Sequence, residues 1–184
     1  MEEELIKQKN GEYYNPKSSV FVELQDKSRT FMQKFNKEEN KNKREKILKS
    51  WLKNVGENCY IEPSFFCDYG CNLTLGNNVY FNTGCTVLDS AEVEIGDFTM
   101  IGSGVQICTP QHPLDIKERR KDLERALPVK IGKDCWIGSG AIILAGVTIG
   151  DGTTIGAGSV VTKDIPSMSV AVGNPCKIIK NLNE

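Results

Sequence analysis

The chain has a single histidine, and that scarcity removes several kinds of chemistry at once. A three-histidine zinc site cannot be assembled from it, which argues against a metal-dependent hydratase. The seven cysteines are odd in number and contain no Cys-x-x-Cys pair, so neither a zinc ribbon nor a disulfide framework is supported. No G-x-x-x-x-G-K-[ST] loop occurs, and Gly102-Ser103-Gly104 leads into no helical pattern, which excludes a nucleotide fingerprint. No apolar run approaches the roughly 20 residues that span a bilayer. The Met-Glu-Glu-Glu start lacks the pattern of a secretory signal, so a cytosolic location is expected. Charge of one sign is missing too. With 23 basic and 24 acidic side chains the net charge is −1, too balanced to draw the chain to nucleic acid or to a membrane surface.

What is present is unevenly spread. Residues 1–54 hold 13 basic and 9 acidic side chains, and 16 of the 17 glycines come after residue 54. In the first region Val20, Phe21, Leu24, Phe31 and Phe35 recur at helical spacing. Ile47, Leu48, Trp51, Leu52 and Val55 do so more clearly. The charged stretch from Asn36 to Lys46 reads as a solvated loop and helix face. Residues 1–54 are therefore expected to form a helical pair that caps something larger.

The second region repeats every six residues. Position one is held by Val55, Ile61, Cys67, then Leu75, Phe81, Val87, then Ile95, Ile101, Ile107, and after a break by Ile131, Ile137, Ile143, Ile149, Ile155 and Val161. Position two is often Gly, and position five is small or β-branched, as at Val79, Thr99, Val105, Ala141 and Ser159. Six residues suit one short strand and one corner, and three such units close a triangular coil. Stacked coils bury position one and pair their backbones, so no repeat is stable alone. Fifteen sextets grouped by threes predict five coils. Cys59, Cys71, Cys85 and Cys135 fall on position five and Cys67 on position one, so the cysteines are read as packing residues.

The repeat breaks between Ile107 and Ile131, and the only histidine lies there, in Thr109-Pro110-Gln111-His112-Pro113-Leu114. A rigid scaffold that ejects so long a loop usually does so for function. From the residues alone, an enzyme and a non-catalytic β-helical scaffold both remain open.

The chain resembles the maltose/galactoside O-acetyltransferases among the left-handed β-helix hexapeptide acyltransferases. The resemblance is carried by Val55-Gly56-Glu57-Asn58, Phe66-Cys67-Asp68-Tyr69-Gly70, Val79-Tyr80-Phe81-Asn82, Leu88-Asp89, His112-Pro113-Leu114, Trp136-Ile137-Gly138-Ser139-Gly140, the run from Ile155 to Lys163, and Gly173-Asn174-Pro175-Cys176-Lys177. In the cap, Gly11-Glu12-Tyr13-Tyr14 and Phe35-Asn36 add to it.

The resemblance implies a mainly β fold: a left-handed parallel β-helix of hexapeptide repeats over 55–166 with an N-terminal helical cap, an ejected active-site loop at 113–128, and a C-terminal tail at 167–184. It implies a homotrimer with sites between subunits, acetyl-CoA as co-substrate, no required metal, and a small sugar whose hydroxyl is acetylated. Carried over, His112 is the general base. Asp68, Tyr80, Asn82 and Asp89 line the acceptor pocket, although Asp68 and Asn82 also suit plain corner roles. Glu124 contacts the acceptor or pairs with a local base such as Arg125. Ser139, Ala157, Thr162 and Lys163 fall on acetyl-CoA positions. Trp136 stacks on the cofactor or packs on the next coil, and Lys177 and Lys180 meet its phosphates or are simply solvated. Two departures touch acceptor recognition. No carboxylate stands near Asn15-Pro16 and Gln25 replaces a cap arginine, while an aspartate pair reads Asp89-Ser90. The acceptor is therefore left open among maltose- or glucose-like sugars, galactosides, other sugars and non-sugar hydroxyls.

Overall fold

The computed structural model describes residues 2–183. Three helices come first: α1 (Glu2–Lys9), α2 (Ser19–Lys37) and α3 (Lys41–Trp51). The sequence suggests two. The first was hidden because only Leu5 and Ile6 interrupt its polar run, too few for a helical period. Part of the expected loop is also helical. Asn40 accepts hydrogen bonds from the Asn42 and Lys43 N–H groups and so starts α3 inside the charged stretch. Val55, which fits both the helical spacing and the first hexad, lies in a strand, as its place on the six-residue lattice requires.

Fifteen short strands then wind five coils. They are β1 (Asn54–Val55), β2 (Tyr60–Ile61) and β3 (Phe66–Cys67), then β4 (Leu73–Leu75), β5 (Tyr80–Phe81) and β6 (Thr86–Leu88), then β7 (Val93–Ile95), β8 (Met100–Ile101) and β9 (Gln106–Cys108). After the excursion, which holds β10 (Pro110–Gln111), α4 (Ile116–Arg119) and β11 (Arg125–Ala126), come β12 (Val129–Ile131), β13 (Trp136–Ile137), β14 (Ile142–Ile143), β15 (Thr148–Ile149), β16 (Thr154–Ile155) and β17 (Val160–Val161). Like strands of successive coils pair in parallel, giving three sheets: β1-β4-β7-β12-β15, β2-β5-β8-β13-β16 and β3-β6-β9-β14-β17. Parallel stacking continues past residue 166, because β18 (Ser169–Val172) adds to β16 and folds back on β19 (Lys177–Asn181).

The register puts position one in columns. Ile61, Phe81, Ile101, Ile137 and Ile155 lie directly over one another, and each is no more than 1% exposed. Each coil thus closes the core of its neighbour. Position five is buried as expected at Val79, Thr99, Val105, Ala141 and Ser159. Its polar members are satisfied: the Thr99 hydroxyl donates to the Gly132 carbonyl at 2.8 Å and accepts the Cys135 N–H at 3.1 Å. One cysteine departs. Cys71 is exposed, because the corner after Cys67 is two residues longer than a hexad and Leu73 takes the interior place. The glycine at position two is steric: a Cβ on Gly138 would stand 2.5 Å from the Ala157 nitrogen.

The cap is held to the first coil by a buried relay. Trp51 Nε1–H donates to the Ser28 hydroxyl at 2.9 Å, and that hydroxyl donates to the Cys67 carbonyl at 2.8 Å. Phe35, Trp51 and Phe65 pack edge to face beside it.

Candidate active site

The triangular prism has three edges, and the site depends on which edge each residue occupies. One edge joins the sheet ending in β17 to the sheet beginning with β1. Along it stack the corners after β3 (Asp68), β6 (Asp89), β9 (the excursion), β14 (Leu144, Ala145) and β17 (Thr162, Lys163).

At this edge Thr109 turns the chain outward. Its buried hydroxyl donates to the Leu88 carbonyl at 2.7 Å and accepts the Ala91 N–H at 2.8 Å. The chain leaves as β10 and returns as β11, an antiparallel pair with Gln111 opposite Arg125 and Pro110 opposite Ala126. The cap fixes the return. Tyr14 and Glu124 exchange backbone hydrogen bonds at 2.8 and 3.0 Å, and the Tyr14 hydroxyl donates to the Glu124 carboxylate. Tyr14, Phe21, Tyr69 and Ala126 form a small second core beneath. His112 follows β10 directly, with Pro113 buried next to it. Its Nδ1 lies 3.0 Å from the Leu123 carbonyl oxygen. A carbonyl only accepts, so Nδ1 carries a proton, and in the neutral ring the lone pair is on Nε2.

His112 borders an open cleft of about 560 Å³ with Tyr13, Cys108, Gln111, Arg125 and Leu144. Arg125 is held there twice: its Nε donates to the Gln111 side-chain oxygen at 3.1 Å, and its guanidinium lies 5.6 Å from the Tyr13 ring centroid. Sequence reasoning missed Tyr13, Gln111 and Arg125 as site residues. Gln111 and Arg125 are brought together only by the β10–β11 register, and Tyr13 only by the neighbouring Tyr14–Glu124 bridge.

Asp68 is half-buried on the same edge, and its carboxyl is pushed up to about 6 by desolvation first, then by the nearby Asp89 and Glu124 charges. Asp89 does not line a pocket. It is fully buried, with one carboxylate oxygen accepting the Tyr69 N–H at 2.7 Å and the other the Asn72 N–H at 3.1 Å. Burial raises its pKa against those donors. It braces the longer corners rather than reading a ligand. Glu124 pairs with Tyr14, not with Arg125.

The remaining expected residues lie elsewhere on the prism. Asn82, Ser139 and Ala157 occupy the edge between the sheets of β5 and β6, and the Asn82 side chain accepts the Thr83 N–H at 2.8 Å. The same edge carries Gly104, Gly140 and Gly158 at positive φ with open space where a Cβ would point. Tyr80 and Trp136 stand on the outer face of the β5–β8–β13 sheet. Tyr80 stacks on Tyr60 at 6.3 Å, and Trp136 is 55% exposed rather than packed on a coil. Lys177 and Lys180 lie exposed on β19. One chain therefore gathers His112, Asp68, Thr162 and Lys163 on one edge and leaves Asn82, Ser139 and Ala157 on another.

Comparison with known proteins agrees with this architecture. Residues 7–56 match the maltose acetyltransferase hexapeptide capping motif, and residues 128–163 match the bacterial transferase hexapeptide (six repeats). The chain is 51% identical over 132 residues to nodulation protein L of Rhizobium meliloti (strain 1021), covering 72% of each. The crystal structure of a maltose O-acetyltransferase from Clostridium difficile 630 superposes with a TM-score of 0.95 at 43% identity, covering 98% of both chains. A galactoside acetyltransferase in complex with coenzyme A superposes at 0.95 with 36% identity, covering 98% of this chain and 91% of that one. The chain belongs to the hexapeptide-repeat acetyltransferases, in the maltose and galactoside O-acetyltransferase family.

Proposed function

We propose that the protein transfers the acetyl group of acetyl-CoA to a hydroxyl of a small sugar, with His112 Nε2 as the base. The observation that carries this reading is the 3.0 Å contact between Nδ1 and the Leu123 carbonyl, which leaves a basic nitrogen beside an open cleft. A sugar hydroxyl holds its proton at neutral pH and attacks a thioester poorly. As its oxygen bonds to the acetyl carbon, Nε2 takes the proton, a contribution of about 10²–10⁴ in rate. A backbone N–H of the Ser139 corner stabilises the oxyanion. Collapse breaks the carbon–sulfur bond, and the departing CoA sulfur takes the proton back from the imidazolium. Binding both substrates together makes the transfer direct.

The two edges of the prism belong to one site when a second copy lays its Ser139–Ala157 edge against the His112 edge of the first. A homotrimer satisfies this three times. Coenzyme A bound to the galactoside enzyme supports the donor. The contact between copies is supported by exposed apolar groups that gain by burial: Met100 at 52% and Trp136 at 55% on one sheet face, and Leu114 at 93% on the loop. In this assembly Ser139, Ala157, Trp136, Thr162 and Lys163 hold acetyl-CoA with Lys177 and Lys180 near its phosphates, while Asp68, Tyr80 and Asn82 meet the acceptor.

The test is CoA release, followed with a thiol reagent across mono- and disaccharides, with His112→Ala as control and the exposed Cys71 subtracted. Acceptor-dependent release lost in the variant supports the reading; release that is equal in the variant rejects the role of His112.

A further inference from the structure

We infer that Arg125 selects the acceptor, and that the acceptor carries an anionic group, a carboxylate or a phosphate, close to the hydroxyl that is acetylated. The inference rests on the reading of His112 as the base and names the substrate class for that same cleft. Arg125 is the cationic side chain of the cleft wall, beside the neutral Gln111, Tyr13, Leu144 and Cys108, whose thiol burial keeps protonated. It stands directly across the β10–β11 pair from Gln111, the residue before His112, so the guanidinium and the imidazole border the same space.

Its orientation is set in advance. Nε is spent on Gln111 at 3.1 Å, and the ring of Tyr13 supports the plane at 5.6 Å. Neither contact uses the outer fork of N–H groups. No carboxylate among the described residues pairs with Arg125, since Asp122 is taken by Lys17, Glu118 by Lys121 and Glu124 by Tyr14. A held guanidinium with a free fork matches a carboxylate or phosphate through two parallel hydrogen bonds, which a hydroxyl cannot accept in the same way. A neutral hydroxyl takes the N–H groups of the fork one at a time and leaves the charge unmatched. The charge is therefore accounted for by an anionic acceptor such as a uronic acid or a sugar phosphate.

The experiment compares glucose, glucuronate and glucose 6-phosphate as acceptors at saturating acetyl-CoA, for wild type, Arg125→Gln, Arg125→Lys and Arg120→Gln. At least one charged acceptor should exceed glucose by about 10- to 100-fold in kcat/KM, mainly through KM, the size expected of a hydrogen-bonded charge pair. Which one does so tells carboxylate from phosphate. The preference should collapse in Arg125→Gln, persist in part in Arg125→Lys, and survive in Arg120→Gln on the same loop. Equal use of the three sugars by wild type, or an unchanged ratio in Arg125→Gln, overturns the inference and leaves the enzyme reading standing. A drop in oligomer stability with no change in ratio also overturns it, because Arg125 would then pair with a neighbouring copy. If none of the three is acetylated, the wider panel of mono- and disaccharides decides the enzyme reading separately. Ligand-observed NMR with glucuronate and glucose 6-phosphate then decides the inference: binding that weakens in Arg125→Gln upholds it, and no binding overturns it.

Discussion

His112 Nδ1 lies 3.0 Å from the carbonyl oxygen of Leu123, so the far end of the ejected loop fixes the tautomer of the residue at its start. The loop is closed on itself by this contact and by the Gln111–Arg125 pairing beneath it. His112→Ala should lower the acetyl-transfer rate by about 10²–10⁴. Its side chain is exposed and anchors no core, so the melting temperature should hardly change. Steady-state rates and a melting curve on the same preparation check both halves.

Asp68 should make stability depend on pH in the unusual direction for a carboxylate. Its folded value of about 6 lies above the ordinary 3.8. Above pH 6 the folded chain bears the full penalty of a half-buried charge, and the penalty fades as pH falls toward 4. A shift of about two units corresponds to about 3 kcal/mol, which partial exposure reduces to on the order of 1–2 kcal/mol. Asp68→Asn should therefore stabilise the protein by that amount at pH 7–8 and by nothing below pH 4. Denaturant titrations across this range provide the check.

Ser28 joins two elements through one oxygen. Removing it in Ser28→Ala strands both the Trp51 indole N–H and the Cys67 carbonyl in a buried setting. A loss of about 2–4 kcal/mol is expected, as each unsatisfied group costs about 1–3 kcal/mol. The denaturation midpoint measures it, and Ser28→Thr should recover part of the loss if the extra methyl is accommodated.

Phe98 occupies a corner at φ 57°, where Asn58 and Asn78 sit at φ 56° in the coils above, and its ring is 57% exposed. Left-handed backbone suits Asn far better than an aromatic residue. Phe98→Asn should stabilise the isolated chain by about 0.5–1 kcal/mol. If the aromatic ring instead contributes to the contact between copies, sedimentation will report weaker assembly in the same variant.

The β-helix was legible because isoleucine recurs on a six-residue lattice, and each of those residues has one place to go. The phase of the longer corners was less so. Leu73 and Leu75 are both buried, and only the pairing of β4 with β7 reveals that Cys71 falls outside. The helix α1 carries almost no apolar period, and its docking on β11 follows from tertiary contact. The histidine could be singled out as the only one, in the only long break. Arg125 could not, since its partners Tyr13 and Gln111 lie 112 and 14 residues away along the chain, and nothing local advertises them. Asp89 misled for a related reason: a carboxylate beside a family motif looks alike whether it faces a ligand or its own backbone.

The interruption leaves the stacking untouched: β9 pairs with β14 as β6 pairs with β9, in the same register, although the intervening chain is far longer. The ladder therefore does not measure what is inserted at that corner, provided the two ends meet. Residues 109–128 behave as a replaceable cassette on a fixed rack. On the proposed function, related chains would exchange acceptor preference by trading this cassette together with its docking partner Tyr14, with the ladder left undisturbed.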